Sequence, residues 1–240
     1  MFIFVFMYMI KDKLTIVIPS KNESDVINIT LTHLNEQKNI KGTRVIIADC
    51  STDDTRDIIL SGKYRNLNIE VIDGGLPSVG RNKGAELCET PYVLFLDADI
   101  FLTNLGTIRD TLITIEHNSL HLVTTKFRVR GKYSFVFPIF EFFRNLTIDN
   151  APCAIGGYML FDILEFNKVG GFINEDKFAE DFHLSMKIHP HRFHVSPHKV
   201  YTTDRRFKKK GLIYMLKMSY LSYKNKHNPD FFKHDHNYWV

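Results

Sequence analysis

Cysteine is scarce in this chain of 240 residues: Cys50, Cys88 and Cys153 are an odd number, widely spaced, with no Cys-x-x-Cys pair. That spacing argues against a disulfide framework and against a thiolate zinc site, and a reducing, cytoplasmic setting fits best. Internal repeats, low-complexity tracts and linkers rich in Pro, Gly or Ser are also missing. With 44% apolar and 24% charged residues, the chain falls outside the disordered, collagen-like and coiled-coil classes.

Long hydrophobic runs are absent as well. The apolar stretch at the start, residues 2–10 (FIFVFMYMI), is about half of what a membrane-spanning helix needs. No basic residue precedes it and no small-residue cleavage site follows, so it reads poorly as a signal peptide. An N-terminal extension over residues 1–13 is expected: an added strand or docking segment, a shallow membrane anchor, or a start misplaced upstream of Met7 or Met9.

Overall charge is small, with 31 basic and 27 acidic residues giving +4. Its distribution is uneven. From Lys187 onward 12 Lys/Arg face three acids, a balance of +9, which leaves −5 for the first 186 residues. A basic last quarter on a mildly acidic body suits an anionic partner such as phosphates, a lipid head-group layer or nucleic acid. No recognisable nucleic-acid module accompanies it.

What is present is alternation. Short, nearly continuous apolar runs stand at 14–18 (LTIVI), 44–48 (RVIIA), 68–72 (NIEVI) and 92–96 (YVLFL), the pattern of strands covered on both faces. Segments compatible with helix lie between them at 24–37, 53–60 and 79–88. This predicts an α/β fold with a mostly parallel central sheet flanked by helices. In such sheets ligands bind beyond the carboxyl ends of the strands, so the residues after each run are the ones to read for chemistry.

Those residues are polar. The first run leads into Pro19-Ser20-Lys21-Asn22-Glu23, the second into Asp49-Cys50-Ser51-Thr52-Asp53-Asp54-Thr55, the third into Asp73-Gly74-Gly75 and then Gly80-Arg81-Asn82-Lys83-Gly84. The fourth ends in Asp97-Ala98-Asp99, two carboxylates on one turn that can address a hard divalent cation together with substrate phosphates. A solvated turn is the plain alternative for that pair. Asp49 can accept from the imide N–H of a uracil, and Glu23 is either a ligand contact or a first-turn helix acid. Arg81, at the start of the third helix, favours an anion. Its segment is neither a GxGxxG dinucleotide loop nor a P-loop. Downstream, Gly156-Gly157 makes a flexible turn suited to a wall against a flat ligand. Glu180-Asp181, between Phe178 and Phe182, can supply a general base in a partly dry site; two first-turn acids are the alternative.

In this order and spacing the motifs resemble the family 2 glycosyltransferases, over about residues 14 to 211. The resemblance implies a GT-A fold, the Rossmann-like fold of nucleotide-diphospho-sugar transferases. It implies a single domain over 14–211, with a nucleotide-binding half at 14–100 and an acceptor half at 101–211, followed by a basic, aromatic helix and tail at 212–240. It implies inverting transfer from a nucleoside diphosphate sugar to an acceptor hydroxyl, with Mn2+ or Mg2+ on the diphosphate. Asp181 falls on the catalytic base position, Asp99 on the metal ligand, and Asp97 on the residue that touches ribose or metal. Pro19, Ser20, Glu23, Asp49, Arg81, Gly156, Gly157 and Glu180 fall in the nucleotide-sugar site.

The chain also departs from the family. Its common Asp-Asp-Gly-Ser turn is here Ala48-Asp49-Cys50-Ser51, which keeps only the second acid. No Gln-x-x-Arg-Trp follows Asp181, which speaks against a processive synthase. Residues 203–211 (TDRRFKKKG) instead resemble the Arg-Arg-Phe segment of small non-processive members. That likeness implies Arg205 or Arg206 closing over the diphosphate and His198 completing the metal shell. Uridine is favoured only through Asp49. The acceptor stays open between a lipid-linked glycan, a protein, a small molecule and a modified nucleic acid. A non-catalytic nucleotide-sugar or glycan-binding protein of the same fold is the alternative function. For residues 212–223, core packing is the preferred reading, and a helix lying peripherally on a membrane is the other.

Overall fold

The computed structural model describes residues 9–236. Most of the apolar run at 2–10 lies outside the described residues; its end, Ile10, is buried in the core on a short 3-10 turn. Seven strands form one sheet: β1 (Leu14–Ser20), β2 (Thr43–Asp49), β3 (Leu67–Asp73), β4 (Tyr92–Leu96), β5 (Leu122–Val129), β6 (Tyr158–Asp162) and β7 (Phe193–Thr202). Their order is β3-β2-β1-β4-β6-β5-β7, and only β6 runs antiparallel to its neighbours. This is the mostly parallel α/β sheet that the alternation predicts.

Strand alternation divides the core into two layers. Ile16 and Ile18 of β1 and Leu94 and Leu96 of β4 point to one side, where they meet α1 (Ile27–Asn35), α2 (Thr55–Leu60) and α4 (Thr107–His117). Val17, Val93 and Phe95 point to the other, toward α3 (Pro77–Glu86), α6 (Ile163–Lys168) and α7 (Glu180–Ser185). At Gly84 an added Cβ would sit 2.3 Å from Val17 Cγ1, so the missing side chain is what lets α3 settle on β1. One expectation needs correcting. β3 lies at one edge of the sheet, and its residues are half-buried or exposed instead of being covered on both faces.

The third helix also begins earlier than residue 79, because Pro77 occupies its first turn. Residues 80–84 therefore lie inside α3, and Arg81 is not at a helix N-terminus. The remaining helices are α5 (Val136–Thr147), α8 (Arg205–Lys210), α9 (Leu212–Lys224) and α10 (Pro229–Lys233). Core packing accounts for one face of α9, where Met218 and Ser222 are buried and Leu212, Met215 and Leu221 are half-buried. α10 is anchored too: Phe232 is fully buried and stacks on His183 of α7, ring centroids 4.4 Å apart.

Candidate active site

Parallel register brings the strand tips together. Ser20 pairs with Asp49, Asp49 pairs with Asp73, and Asp97 follows directly on β4 beside β1. The loops after β1 and β2 are stitched by side chains. Asn22 N–H donates to Ser51 Oγ at 2.8 Å, Thr52 N–H donates to Asn22 Oδ1 at 2.9 Å, and Glu23 N–H donates to Thr55 Oγ1 at 2.8 Å. Asp53 accepts from Thr55 N–H at 3.1 Å, and hydrogen bonding to Thr55 holds its carboxyl down at about 2. Asn22 and Asp53 build this end of the crevice without having been singled out; their short polar side chains at strand–helix turns were the available signal.

Asp49 is buried, and only one of its oxygens is satisfied within the protein. Ser51 Oγ donates to Oδ1 at 2.6 Å, while Oδ2 has no partner. The buried Ser20 hydroxyl beside it lacks one too. Unmatched buried acceptors are costly unless something outside the chain completes them.

Arg81 is the hub of the crevice. Its side chain is 2% exposed, with Nη2 2.6 Å from Asp97 Oδ1 and Nη1 2.8 Å from Glu180 Oε1. Burial works against its charge, but the two carboxylates outweigh that and hold the guanidinium above its ordinary value. Phe172 covers it, with the ring centroid 5.2 Å from the guanidinium carbon. Arg81 thus gives both terminal nitrogens to protein carboxylates, while its buried Nε has no partner.

Asp181 lies next to this pair on the first turn of α7. Gly156 N–H donates to its Oδ2 at 2.6 Å, and the backbone N–H of Phe182 donates to Oδ1 at 2.7 Å. A Cβ on Gly156 would come 3.0 Å from Arg81 Nη2 and 3.2 Å from Asp181 Oδ2, so this approach needs glycine. Burial and the neighbouring Glu180 charge push the Asp181 carboxyl up to about 6, against the pull of the Gly156 N–H and Arg81. Ala179, at φ 49°, turns the chain left-handed just ahead of α7, a conformation costing a non-glycine roughly 1–2 kcal/mol. Burial, and then the neighbouring Asp181 charge, push the Cys153 thiol up to about 12.

At the other side stands Asp99, whose Oδ2 accepts from Thr203 Oγ1 at 3.0 Å and Thr202 Oγ1 at 3.2 Å. Arg205 Nη2 lies 3.5 Å from the same oxygen and 2.6 Å from Glu23 Oε2. Burial raises the Glu23 carboxyl, Arg205 opposes the rise, and Asp99 and Asp97 add to it. Of the two adjacent arginines, Arg205 is the one that reaches these carboxylates; Arg206 is exposed on α8. Thr202 and Thr203 were not anticipated, since a hydroxyl pair carries no distinctive spacing.

His198 does not join the set. Phe101 and Tyr201 form an antiparallel bridge, which runs Thr202 and Thr203 back past Asp99 and leaves His198 farther along β7. There its Nε2 lies 3.2 Å from Asp110 Oδ2. Among the described residues no cluster of three or more His, Cys, Asp or Glu is arranged to hold a metal. Asp97 and Asp99 each keep one carboxylate oxygen without a protein hydrogen bond among those residues. Two free oxygens on adjacent carboxylates suit a hard cation that completes its shell with water and substrate phosphate.

The profile of Glycosyl transferase family 2 matches residues 15–162, a span holding most of these tips. The chain belongs to glycosyl transferase family 2. This family 2 chain is 34% identical over 128 residues to the poly(ribitol-phosphate) beta-N-acetylglucosaminyltransferase TarS of Staphylococcus aureus, covering 50% of this chain and 22% of that protein. It is 38% identical over 91 residues to the amylovoran biosynthesis glycosyltransferase AmsB of Erwinia amylovora, covering 35% of this chain and 30% of that one. The match thus spans less than a third of those relatives. Among solved structures, TarS 1–349 in complex with UDP-GlcNAc superposes with a TM-score of 0.59 at 22% identity, over 80% of this chain and 59% of that one. The mannosyltransferase PcManGT from Pyrobaculum calidifontis, in complex with GDP-Man and Mn2+, gives 0.64 at 17% identity, over 94% and 68%. The fold of the family 2 chain is that of the GT-A glycosyltransferases.

Proposed function

We propose that the chain is the catalytic domain of an inverting, non-processive glycosyltransferase. It moves a sugar from a nucleoside diphosphate sugar to an acceptor hydroxyl. The observation that carries this reading is the Asp181 carboxyl, raised to about 6 and joined through the Glu180–Arg81–Asp97 chain to the strand tips where a nucleotide binds. A base poised near neutrality accepts the acceptor proton as its oxygen forms the new bond to the anomeric carbon. The bond from that carbon to the diphosphate breaks on the opposite face, which inverts the configuration. Arg205 faces the departing diphosphate and leaves Glu23 to do so. Asp99 and Asp97 would hold Mn2+ or Mg2+, which would supply positive charge for the leaving group.

Asp49 Oδ2, buried and without a partner, takes the imide N–H of a uracil, while Pro19, Ser20 and Gly157 wall the donor. That assignment favours a UDP-sugar. The solved neighbours named above hold UDP-GlcNAc in one case and GDP-Man in the other, so the base is decided by titration. Calorimetric titration of UDP and of GDP, each with and without Mn2+, tests the donor site. Micromolar, metal-dependent UDP binding that disappears in Asp99→Asn is the expected result. Tighter GDP binding overturns the uracil assignment, and no nucleotide binding at all overturns the enzyme.

A further inference from the structure

Two helices turn their apolar faces outward. On α5, Ile139, Phe142, Phe143 and Leu146 follow the spacing i, i+3, i+4, i+7 and are 46%, 62%, 60% and 66% exposed, with Phe135 continuing the stripe one turn earlier. On α9, Ile213, Leu216, Tyr220 and Tyr223 lie on the face opposite Met218 and Ser222 and range from 40% to 84% exposed. A helix buries such a stripe against something, because water is its least favourable neighbour.

The two helices are neighbours at their ends. A groove lies where they begin, lined among others by Lys132, Tyr133 and Phe135 just ahead of α5 and by Lys210, Ile213 and Tyr214 at the corner between α8 and α9. Phe207, just before α9, packs edge-on against Phe137 of α5 at 5.9 Å. Beyond their C-terminal ends, Lys226 Nζ reaches the Asn150 carbonyl at 3.4 Å. The groove joins the two stripes at Phe135 and Ile213.

Charge selects the occupant. Lys217 and Lys224 are exposed within the α9 stripe, Lys132 and Lys210 flank the groove, and α9 contains no acid. The acid of α5, Glu141, is neutralised by Arg128 at 2.6 Å. A second copy docked face to face would set these lysines against one another. Residues 1–8 (MFIFVFMY) carry no acid to meet them. Aromatic and aliphatic side chains ringed by lysines match the boundary between lipid tails and anionic head groups.

We propose that the α5–α9 face docks on an anionic lipid bilayer, with Phe142, Phe143, Leu216 and Tyr220 in the head-group boundary and Lys217 and Lys224 on lipid phosphates. The groove with Lys132 and Lys210 receives a head group. No helix among the described residues is long and apolar enough to cross a membrane, so this contact is made from the surface. It goes beyond the transfer reaction and does not depend on which donor is used.

Co-flotation of the full chain with vesicles tests it, comparing phosphatidylcholine alone with mixtures containing phosphatidylglycerol. The chain is expected to float with the anionic vesicles and to be released by salt. Phe142→Asp with Phe143→Asp should lower partitioning more than about tenfold. Lys217→Glu and Lys224→Glu should each lower it about fivefold. Leu164→Asp, at a still more exposed apolar site on α6, should change nothing. Circular dichroism checks the fold, and Leu146→Gln with Tyr220→Gln gives a milder pair should the aspartates unfold the chain. Failure to bind anionic vesicles, or equal binding to neutral ones, overturns the proposal. So does binding lost on deleting residues 1–8 but kept in the α5 variants, or a solution dimer that the α5 variants dissociate. Nucleotide titration on the same samples reports the donor site separately.

Discussion

Arg205 Nη2 lies 2.6 Å from Glu23 Oε2, a contact that joins residues 182 positions apart and brings α8 to the tip of β1. Arg205 is 48% exposed, so the pair adds little stability. Its value is positional, since the same nitrogen stands 3.5 Å from Asp99.

Arg205→Ala should weaken UDP binding about tenfold, the scale of a hydrogen bond to a charged group. Its melting temperature should fall by no more than about 2–4 °C. Calorimetry and thermal denaturation on one preparation separate the two effects; a large loss of stability with unchanged binding would contradict the assigned role.

Asp181 must be ionised to take a proton. With its carboxyl at about 6, transfer should fall as pH drops through 6 and level off above it. Asp181→Asn should lower kcat by about 10²–10⁴-fold while nucleotide still binds. A pH profile of kcat/KM for the parent chain, flat from 5 to 8, would remove Asp181 from this role.

Arg81→Met leaves Asp97 and Glu180 facing each other without a cation. Breaking a buried pair on one side costs about 3–5 kcal/mol, readable as a shift in the urea midpoint. Arg81→Lys should rescue little, because one ammonium cannot span both carboxylates.

Gly84→Ala touches no part of the crevice, yet its methyl would meet Val17 at 2.3 Å. A loss of about 1–3 kcal/mol is expected from overpacking, with nucleotide affinity unchanged in whatever fraction remains folded.

The strand tips were legible in the sequence because a parallel sheet delivers every carboxyl end to one edge, and the apolar runs marked those ends at Ser20, Asp49, Asp73 and Asp97. Asp181 was legible as an acid between aromatics. Arg81 stood out in the sequence as a candidate anion contact, but its partner Glu180 lies 99 residues away, and no local pattern announces that bridge. His198 was misplaced because its position depends on the Phe101–Tyr201 pairing, a contact between segments far apart in the chain. Periodicity marks α5 and α9 as two-faced helices; which face meets the core is decided only when the neighbours are in place.

Phe232 carries a last consequence. Its ring fills the space beside His183 and Phe182, on the same short helix as Asp181. Leu184 ties α7 to the sheet on one side and Phe232 ties it to the C-terminal segment on the other, so the placement of Asp181 depends on packing at both ends of the chain's second half.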